Sequence, residues 1–307
     1  MHAVKHPSTA VFMKLAAAVV LAATSATAAS QSAISVVDDR GTRVVLPAAA
    51  TRIAALAPSI TELVFAAGAG DKLIGVPRYS DFPSAAASIR QIGDASRIDL
   101  ERVLSLKPDL VIAWKTGNHA ADFERLEQLG FTVFVAEPET LSAIPRLLRA
   151  IASLAGTGAA GEAAAGDFER GIAALNAQYR MRSPVRVFYE IWHEPLMTVN
   201  ARHMISDVIA LCGGRNVFAP VPVLTPIVSL ESVIAARPEV VLGGSSATTP
   251  AEFAAPWMQA ERYAALRRVQ ARYVDPDYIQ RQTPRVLQGA RTVCEHIDAV
   301  RTARNTH

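Results

Sequence analysis

Aromatic side chains stand beside polar ones at several places where an apolar run of the sequence ends. Trp114 directly follows the run 110–113, Trp192 and His193 follow another such run, and Tyr79 lies in a loop flanked by prolines. Proteins of α/β architecture bind ligands in the crevice beyond the carboxyl ends of their strands. Aromatic side chains there would form flat walls for a large planar ligand with apolar faces and a polar edge. The alternative for each single residue is ordinary core packing.

The motifs of common catalytic mechanisms are absent from the sequence. It contains no Gly-x-Ser-x-Gly nucleophile elbow, no phosphate loop ending in Gly-Lys-Ser/Thr and no His-Glu-x-x-His zinc helix. We therefore predict a binding protein and not an enzyme. A zinc-dependent or nucleophilic hydrolase is kept as the alternative from a different functional class.

The histidines are not spaced like metal ligands. Beyond residue 28 they occur singly, at His119, His193, His203, His296 and His307. A site could still assemble from His193, Glu194, His203 and a distant carboxylate, but isolated histidines are more often surface residues or hydrogen-bonded core residues. We predict no metal site and no cofactor.

The beginning of the sequence has the pattern of a secretory signal over residues 1–28. Lys5 and Lys14 precede the apolar run 15–23, and small residues follow it up to Ala28, the expected cleavage point. Met13 is an alternative start. The apolar run is shorter than the roughly 20 residues that span a bilayer, which disfavours a membrane anchor. We predict a soluble periplasmic protein.

Composition and cysteine content agree with an exported globular protein. The 307 residues are 50% hydrophobic and 19% charged, which excludes disorder and coiled coil. A net charge of +3 without clustered lysines and arginines gives no sign of nucleic-acid binding. Cys212 and Cys294 are the only cysteines, and an even count in an oxidising compartment favours a disulfide over buried free thiols.

An internal repeat indicates the architecture. Residues 99–112 match residues 229–242 without a gap, and each copy reads as a helix cap, a short helix, a proline stop and a buried strand. The same unit in both halves of the chain predicts two similar α/β lobes.

Two local patterns around the first predicted helix lead to specific expectations. Residues 59–62 have the form of a capping box, in which Ser59 caps the helix and Glu62 reaches back to the cap N–H. Gly68 and Gly70 follow this helix rather than open one. We therefore interpret them as the C-cap and not as a dinucleotide-binding loop.

A helix-rich stretch separates the two halves. Residues 157–180 are rich in Ala, Glu, Gln and Leu and predict one long helix despite Gly166 and Gly171, with Pro184 ending it. The predicted fold is α/β, with two similar lobes joined by this connecting helix, which should limit their movement. The expected parts are a signal at 1–28, an N-terminal lobe at 34–156, the connecting helix at 157–183 and a C-terminal lobe at 184–307.

Several short motifs occur together across both halves. The first half carries Ala-Pro-Ser-Ile-Thr-Glu at 57–62, Tyr-Ser-Asp-Phe-Pro at 79–83 and Lys-Pro-Asp-Leu-Val-Ile-Ala-Trp at 107–114. The second half carries Cys-Gly-Gly-Arg-Asn-Val-Phe at 212–218 and Val-Ser-Leu-Glu at 228–231. From about residue 34 to residue 299 the chain resembles the periplasmic substrate-binding proteins of metal-chelate ABC importers, most closely the cobalamin-binding group.

The resemblance implies roles for four of these residues in the ligand site and the disulfide. Tyr79 and Trp114 fall where the cobalamin-binding group packs aromatic rings on the corrin. Cys212 and Cys294 fall where that group has its disulfide.

Glu101 and Glu231, one in each copy of the repeat, match two carboxylates that dock on arginines of the membrane permease in the family. The alternative is purely local, because a glutamate in the first turn of a helix is favoured by the helix dipole alone. The resemblance thus implies an ABC transporter permease at the inner membrane as the partner. A carrier that must present both glutamates is most simply a monomer.

Three positions depart from the cobalamin-binding pattern. Ala95 and Thr225 stand where that group has tryptophans, and Met197 stands where it has a phenylalanine. Met197 can still pack adaptably on a flat ring. The residues that would replace the lost walls are Trp192, His193 and Tyr278.

Asp277 and Arg281 flank a segment that is similar to the ligand loop in the family's second lobe. The resemblance implies that they meet a polar edge of the ligand. The alternative is a solvated pair on a surface loop.

The resemblance therefore implies a receptor that holds cobalamin or a related corrinoid between two lobes and delivers it to an ABC importer. The alternative within the same fold is a ferric siderophore or haem receptor. Anionic siderophores call for arginines in the cleft, and haem calls for an axial ligand to its iron. The residues that keep this alternative open are Arg78, His193, Arg281 and Arg285.

Overall fold

The computed structural model describes residues 1–4, 33–244, 247, 249–260, 266 and 269–305. The chain divides into two units, Met1–Gln31 and Ser32–His307. In the first unit only residues 1–4 are described, and they are exposed. The predicted signal at 1–28 therefore lies almost wholly outside the described residues, and the account below concerns the second unit.

The first half of this unit is built around a parallel sheet of four strands. Its strands and helices are β1 (Ile34–Val37), β2 (Arg43–Leu46), β3 (Ile53–Ala55), α1 (Pro58–Ala66), β4 (Leu73–Gly75), β5 (Gly93–Asp94), β6 (Arg97–Ile98), α2 (Leu100–Leu106), β7 (Leu110–Trp114), α3 (Ala120–Gln128), β8 (Val133–Ala136) and α4 (Ala143–Ala155). The parallel sheet has the order β4-β3-β7-β8, while β1-β2 and β5-β6 are antiparallel pairs. Strands β3 and β8 are buried throughout, as expected for a parallel sheet covered on both faces.

The second half has a parallel sheet of the same size. Its elements are α5 (Gly158–Tyr179), β9 (Val185–Glu190), α6 (Met204–Leu211), β10 (Gly214–Asn216), α7 (Leu230–Ala236), β11 (Val240–Gly243), α8 (Pro250–Ala260), β12 (Gln270–Tyr273), α9 (Pro276–Ile279) and α10 (Val286–Asn305). The sheet order is β10-β9-β11-β12, with all pairs parallel. The prediction of two similar α/β lobes is confirmed.

The internal repeat of the sequence is also a repeat of structure. Helix α2 leads into β7, and α7 leads into β11. Asp99 and Ser229 cap the two helices by accepting a hydrogen bond from a backbone N–H three residues on, at 3.0 and 3.2 Å. Each helix ends at a basic residue in the left-handed region, Lys107 with φ 47° and Arg237 with φ 49°.

The correspondence extends to how each repeat is fixed to its sheet. The Arg52 side chain donates to the carbonyl of Lys107 at 3.2 Å, and the Arg186 side chain donates to the carbonyl of Arg237 at 2.6 Å. Each arginine in turn has its own backbone N–H bound by the acidic residue after the proline, Asp109 or Glu239. The two lobes therefore share a unit down to individual hydrogen bonds.

Helix α5 lies where the sequence predicts one long connecting helix. It packs along α4, where Arg149 bridges Glu162 and Glu169, and it contacts α10 further on. A Cβ at Gly171 would come within 2.3 Å of the Leu287 side chain of α10, so the absence of a side chain permits this close contact. Across the described residues, no helix combines the length and apolar character needed to cross a bilayer.

The capping-box prediction for α1 is wrong. The helix begins at Pro58 after Ala57, and no side chain caps it. Proline fits the first helical position because its missing N–H would have no partner there. Ser59 and Glu62 are buried within the helix instead, and Glu62 bonds to residues far along the chain. Gly68, with φ +77°, lies just past the helix end, as predicted for a C-cap.

The predicted disulfide is confirmed. Cys212 at the end of α6 is bonded to Cys294 in α10, across 82 residues of chain, and both cysteines are fully buried. The bond ties the C-terminal helix to the sheet through α6, which adjoins β10.

Candidate functional site

Trp114 is held at the carboxyl end of β7 by two contacts. Its indole N–H donates to Glu137 Oε1 at 3.3 Å, and Glu137 also accepts from the backbone N–H of Thr116 at 2.9 Å. Its six-membered ring lies against Gly117, where a Cβ would come within 1.7 Å of the ring. The ring is half-buried and therefore has a face available beyond the strand end.

Tyr79 is presented to solvent by an unusual backbone. Its φ is 67°, a region that a bulky residue adopts only when its surroundings hold it there, and its exposed fraction is 69%. The next residue, Ser80, is buried and shares a 3.0 Å hydrogen bond with the Thr61 hydroxyl of α1. The neighbouring Phe82 is also exposed. The loop thus offers aromatic rings to solvent while its backbone is fixed to α1.

The loop after β9 carries three of the sequence-predicted ligand residues. Trp192 is 47% exposed, and its indole N–H donates to the carbonyl of Glu194 at 2.9 Å. Met197 forms antiparallel bridges to Trp192 on one side and to Ile227 on the other. The structure therefore brings Trp192 and Met197 together. It also places them beside Ile227, an exposed apolar residue that sequence reasoning did not select.

A buried carboxylate fixes the His193 ring. Glu190, the last residue of β9, is 2% exposed, with its Oε1 3.1 Å from His193 Nδ1. Its Oε2 accepts from the indole N–H of Trp257 in α8 at 2.7 Å. Burial raises the pKa of Glu190, whereas His193 and the Trp257 N–H act in the opposite direction. The His193 side chain is 37% exposed.

Arg281 joins the two lobes. Its guanidinium donates to Glu62 Oε1 of α1 at 2.9 Å and to Asp81 at 2.7 Å, and it pairs with Asp277 at 3.2 Å. Burial acts to raise the pKa of Asp81, but the hydrogen bond from Arg281 outweighs it and holds that pKa below its ordinary value. Asp277 and Arg281 are thus brought together as predicted. Arg281, however, is bonded mainly to the first-lobe carboxylates Glu62 and Asp81.

Glu62 has further partners from the same segment of the second lobe. Arg285 donates to its Oε1 at 3.0 Å, and the Thr283 hydroxyl donates to its Oε2 at 2.9 Å. The Arg285 guanidinium also lies 4.2 Å from the ring centre of Phe82 and 4.6 Å from that of Tyr278. Tyr278 therefore stacks on a cation and takes part in the contact between the lobes. We call Glu62, Asp81, Arg281, Thr283 and Arg285 the interlobe cluster.

In both four-stranded sheets the carboxyl ends of the strands face the contact between the lobes. β12 is followed directly by residues 275–285, which reach Glu62 in the first lobe. β9 and β12 are parallel strands of one sheet, so the loop carrying Trp192 and His193 leaves from the same edge. We call the region beyond these strand ends, with Trp114 at the end of β7 in the other sheet, the cleft, because α/β proteins bind ligands in that position.

The histidines in the described part of the chain do not converge. His203 caps α6 by accepting from the Ile205 N–H at 3.2 Å, and burial lowers its pKa to about 4. His296 is bound to the carbonyl of Tyr273 at 2.9 Å. Over the described part of the chain, no three histidine, cysteine or acidic side chains are grouped to hold a metal ion.

Glu101 and Glu231 occupy matching places on the surface. Both are exposed and lie in the first turn of α2 and α7 respectively. The backbone N–H of Glu231 and the hydroxyl of Ser229 lower the pKa of Glu231, which keeps it ionised.

Sequence reasoning missed three carboxylates of this region. Glu62 was assigned to a helix cap, and Glu137 and Glu190 were assigned no role. Both missed strand-end glutamates do carry a signal, since each stands within one residue of the carboxyl end of a buried strand, β8 or β9. Nothing near Glu62 in the sequence signals its partners, which lie more than 200 residues away.

The fold and the cleft define a two-lobed solute-binding protein. The chain belongs to the periplasmic binding protein family, whose model matches residues 53–278. This is a family of binding proteins and not of enzymes, and its members act in the periplasm.

Named relatives agree with this assignment. The chain is 37% identical to the vitamin B12-binding protein of Vibrio cholerae over 82% of this chain and 90% of the relative. It is 33% identical to the vitamin B12-binding protein of Yersinia pestis over 84% and 90%. The crystal structure of the Vibrio cholerae periplasmic vitamin B12-binding protein matches with a TM-score of 0.73 and 35% identity, covering 82% of this chain and 98% of that one.

The periplasmic haem-binding protein of Vibrio cholerae matches with a TM-score of 0.69, over 80% of this chain and 98% of that one. Its identity is 23%, so this match concerns the fold alone.

Proposed function

We propose that this protein is a periplasmic receptor that binds cobalamin or a related corrinoid between its lobes and delivers it to the permease of an ABC importer. The observation that carries the proposal is the 37% identity to a vitamin B12-binding protein over 82% of this chain and 90% of the relative. The ligand is a substrate for transport and not a cofactor.

The cleft provides aromatic surfaces from both lobes. Tyr79 and Trp114 are contributed by the first lobe, and Trp192 and Met197 by the second. Burying the faces of a corrin against such rings removes apolar area from water, which is the main source of affinity in largely apolar pockets. Glu137 and Gly117 hold Trp114 in place before the ligand arrives, which reduces the ordering cost of binding.

The charged groups at the polar edge are already paired. Asp277 is 44% exposed at its side chain, whereas Arg281 is 18% exposed and bonded to three carboxylates. Asp277 is therefore the better placed of the two to accept hydrogen bonds from ligand amides. Arg281 serves chiefly to join the lobes.

Export and docking belong to the same proposal. The pattern at 1–28 is that of a cleaved signal, which would release a soluble protein, and Glu101 and Glu231 would present one carboxylate from each lobe to permease arginines. A single copy carries both glutamates, so a monomer suffices for docking.

Calorimetric titration of the mature protein with cyanocobalamin tests the proposal, with ferric siderophores and haemin as parallel ligands. Saturable one-to-one binding of cyanocobalamin at micromolar concentration or tighter is the expected result. Binding of haemin or a ferric siderophore, with no heat on titration with cyanocobalamin, would establish the alternative of a haem or ferric siderophore receptor. That alternative is favoured by one feature, a partly exposed histidine at the cleft edge.

A further inference from the structure

His193 has the hydrogen-bonding surroundings of a metal-binding histidine, although the described residues contain no group of three such side chains that could hold a metal ion by themselves. Its Nδ1 is 3.1 Å from Glu190 Oε1, and no other hydrogen bond to its ring is found among the described residues. Histidines that bind metals almost always donate their second ring N–H to a carboxylate or a carbonyl, which fixes the tautomer and the orientation of the ring. A carboxylate in this position favours hydrogen on Nδ1 and leaves the lone pair of Nε2 free.

The supporting carboxylate is itself fixed. Glu190 is 2% exposed, and the Trp257 N–H, which can only donate, binds its other oxygen at 2.7 Å. The two carboxylate oxygens are thus each bound by a ring, one by His193 in the loop after β9 and the other by Trp257 in α8. A buried carboxylate is costly to maintain. The effect of Glu190 at the protein surface is to fix the orientation of the His193 ring.

The sheet determines where His193 lies relative to the other lobe. His193 leaves the carboxyl end of β9, at the edge from which residues 275–285 leave β12 and reach the first lobe. Its side chain is 37% exposed, and it stands just beyond the strand edge that faces the first lobe. A metal that is already held at the centre of a planar macrocycle requires only one protein ligand, which explains why a lone histidine suffices.

We propose that His193 Nε2 is an axial ligand to the metal of the bound macrocycle, with Glu190 as its positioning residue. This inference rests on the proposed function and predicts that corrinoids with an exchangeable axial position, such as those that lack the nucleotide base, bind with one additional bond from the protein to the metal. In the binding step the lone pair of Nε2 replaces one cobalt-bound water, which leaves to solvent. No electron is transferred.

Absorption spectroscopy with diaquocobinamide, a corrinoid with water on both faces of cobalt, tests this assignment. We expect the wild-type protein to shift the visible bands of diaquocobinamide in the manner of an added imidazole, with one equivalent of protein per cobalt. His193→Ala should abolish the shift and weaken cobinamide binding by at least about tenfold. Glu190→Gln should keep the spectral shift but weaken cobinamide binding by about tenfold. The reason is that an amide has a single oxygen for two N–H donors.

Two controls accompany the variants. His119→Ala removes an exposed histidine from the other lobe and should leave the spectrum unchanged. Cyanocobalamin carries a ligand on each face of its cobalt, so His193→Ala should weaken cyanocobalamin binding much less than cobinamide binding. Retained binding of cyanocobalamin also shows that the variant is folded.

The outcomes separate this inference from the proposed function. Tight cyanocobalamin binding without any spectral shift of cobinamide would overturn the axial role and leave the corrinoid receptor intact. A shift that persists in His193→Ala would assign the axial ligand to another residue. Failure of every corrinoid to bind would overturn the proposed function together with the inference.

Discussion

Trp114 combines a fixed position with an accessible face. The carboxylate of Glu137 binds its indole N–H, and the bare backbone at Gly117 lets the ring lie flat against the chain. Rings held in this way contribute more to binding than mobile ones, because little side-chain entropy is lost.

Replacing Trp114 with alanine is therefore expected to weaken cyanocobalamin binding by at least about fivefold, or roughly 1 kcal/mol. Calorimetric titration measures the loss. Met181→Ala, which removes a 92% exposed apolar side chain elsewhere, should leave the dissociation constant unchanged. An unchanged constant for Trp114→Ala as well would remove this residue from the site.

His203 makes folding stability depend on pH. It caps α6 as a neutral ring, and burial lowers its pKa to about 4 from the ordinary 6.5. The unfolded chain therefore takes up the proton first as the pH falls. The contribution of His203 is complete above pH 6.5 and declines toward pH 4.

His203→Asn keeps an acceptor at the helix cap and removes the titration. Between pH 7 and pH 4 the free energy of unfolding should fall by about 3 kcal/mol less in the variant than in the wild type. Denaturant unfolding at both pH values measures this difference. His296 titrates in both proteins and cancels in the comparison, so equal pH dependence would show that His203 is protonated in the fold.

Local elements follow from the sequence more fully than contacts between distant elements do. The repeat could be predicted because its cap, proline stop and buried strand all lie within about a dozen adjacent residues. Glu62 could not be placed, because Ser59 and Glu62 have the spacing of a capping box, while Pro58 takes the first helical position and the partners of Glu62 lie in the other lobe. The ends of strands indicated Trp114 and Trp192, but only the folded chain reveals what holds their rings.

Helix α1 and the segment after α9 are joined through a single buried carboxylate. Glu62 is 3% exposed and accepts hydrogen bonds from Arg281, Thr283 and Arg285. Removing the charge of Glu62 leaves two largely buried guanidinium groups short of their shared acceptor, which is costly in a poorly solvated place.

Glu62→Gln is expected to lower the free energy of unfolding by about 3 kcal/mol. Guanidinium chloride unfolding followed by circular dichroism measures this change. Asp167→Asn breaks an exposed ion pair with Arg170 and serves as the matched control, with an expected loss below about 0.5 kcal/mol. A loss for Glu62→Gln as small as that of the control would mean that the interlobe cluster contributes little to stability.

Contacts among the described residues couple the two lobes. Helix α5 packs on α4 of the first lobe and contacts α10 of the second, and the interlobe cluster joins α1 to the segment before α10. The backbone N–H of Leu141, before α4, also donates to Asp207 of α6 at 3.3 Å. These connections favour small rigid-body adjustments over wide opening. A permease that releases the ligand would have to act against the interlobe cluster.

The proposed docking residues are separate from the proposed ligand residues. Glu101 and Glu231 are exposed in the first turns of α2 and α7, whereas the aromatic residues lie in loops and at strand ends. The double variant Glu101→Gln with Glu231→Gln should bind cyanocobalamin with unchanged affinity and lose uptake in a transport assay. Glu124→Gln, which neutralises an exposed glutamate of α3, should retain both activities. Persistent uptake by the double variant would refute the docking assignment.

The helices that carry Glu101 and Glu231 repeat each other in cap, left-handed stop and backbone anchoring, so each lobe would present the same local surface to either of two matching permease sites. On a permease with twofold symmetry, both docked orientations would then satisfy the same pair of arginine contacts. The cleft has no such symmetry, because Tyr79 and Trp114 come from one lobe and Trp192 and His193 from the other. The transported molecule would therefore reach the pore in either of two opposite facings, and the pathway through the membrane must accept both.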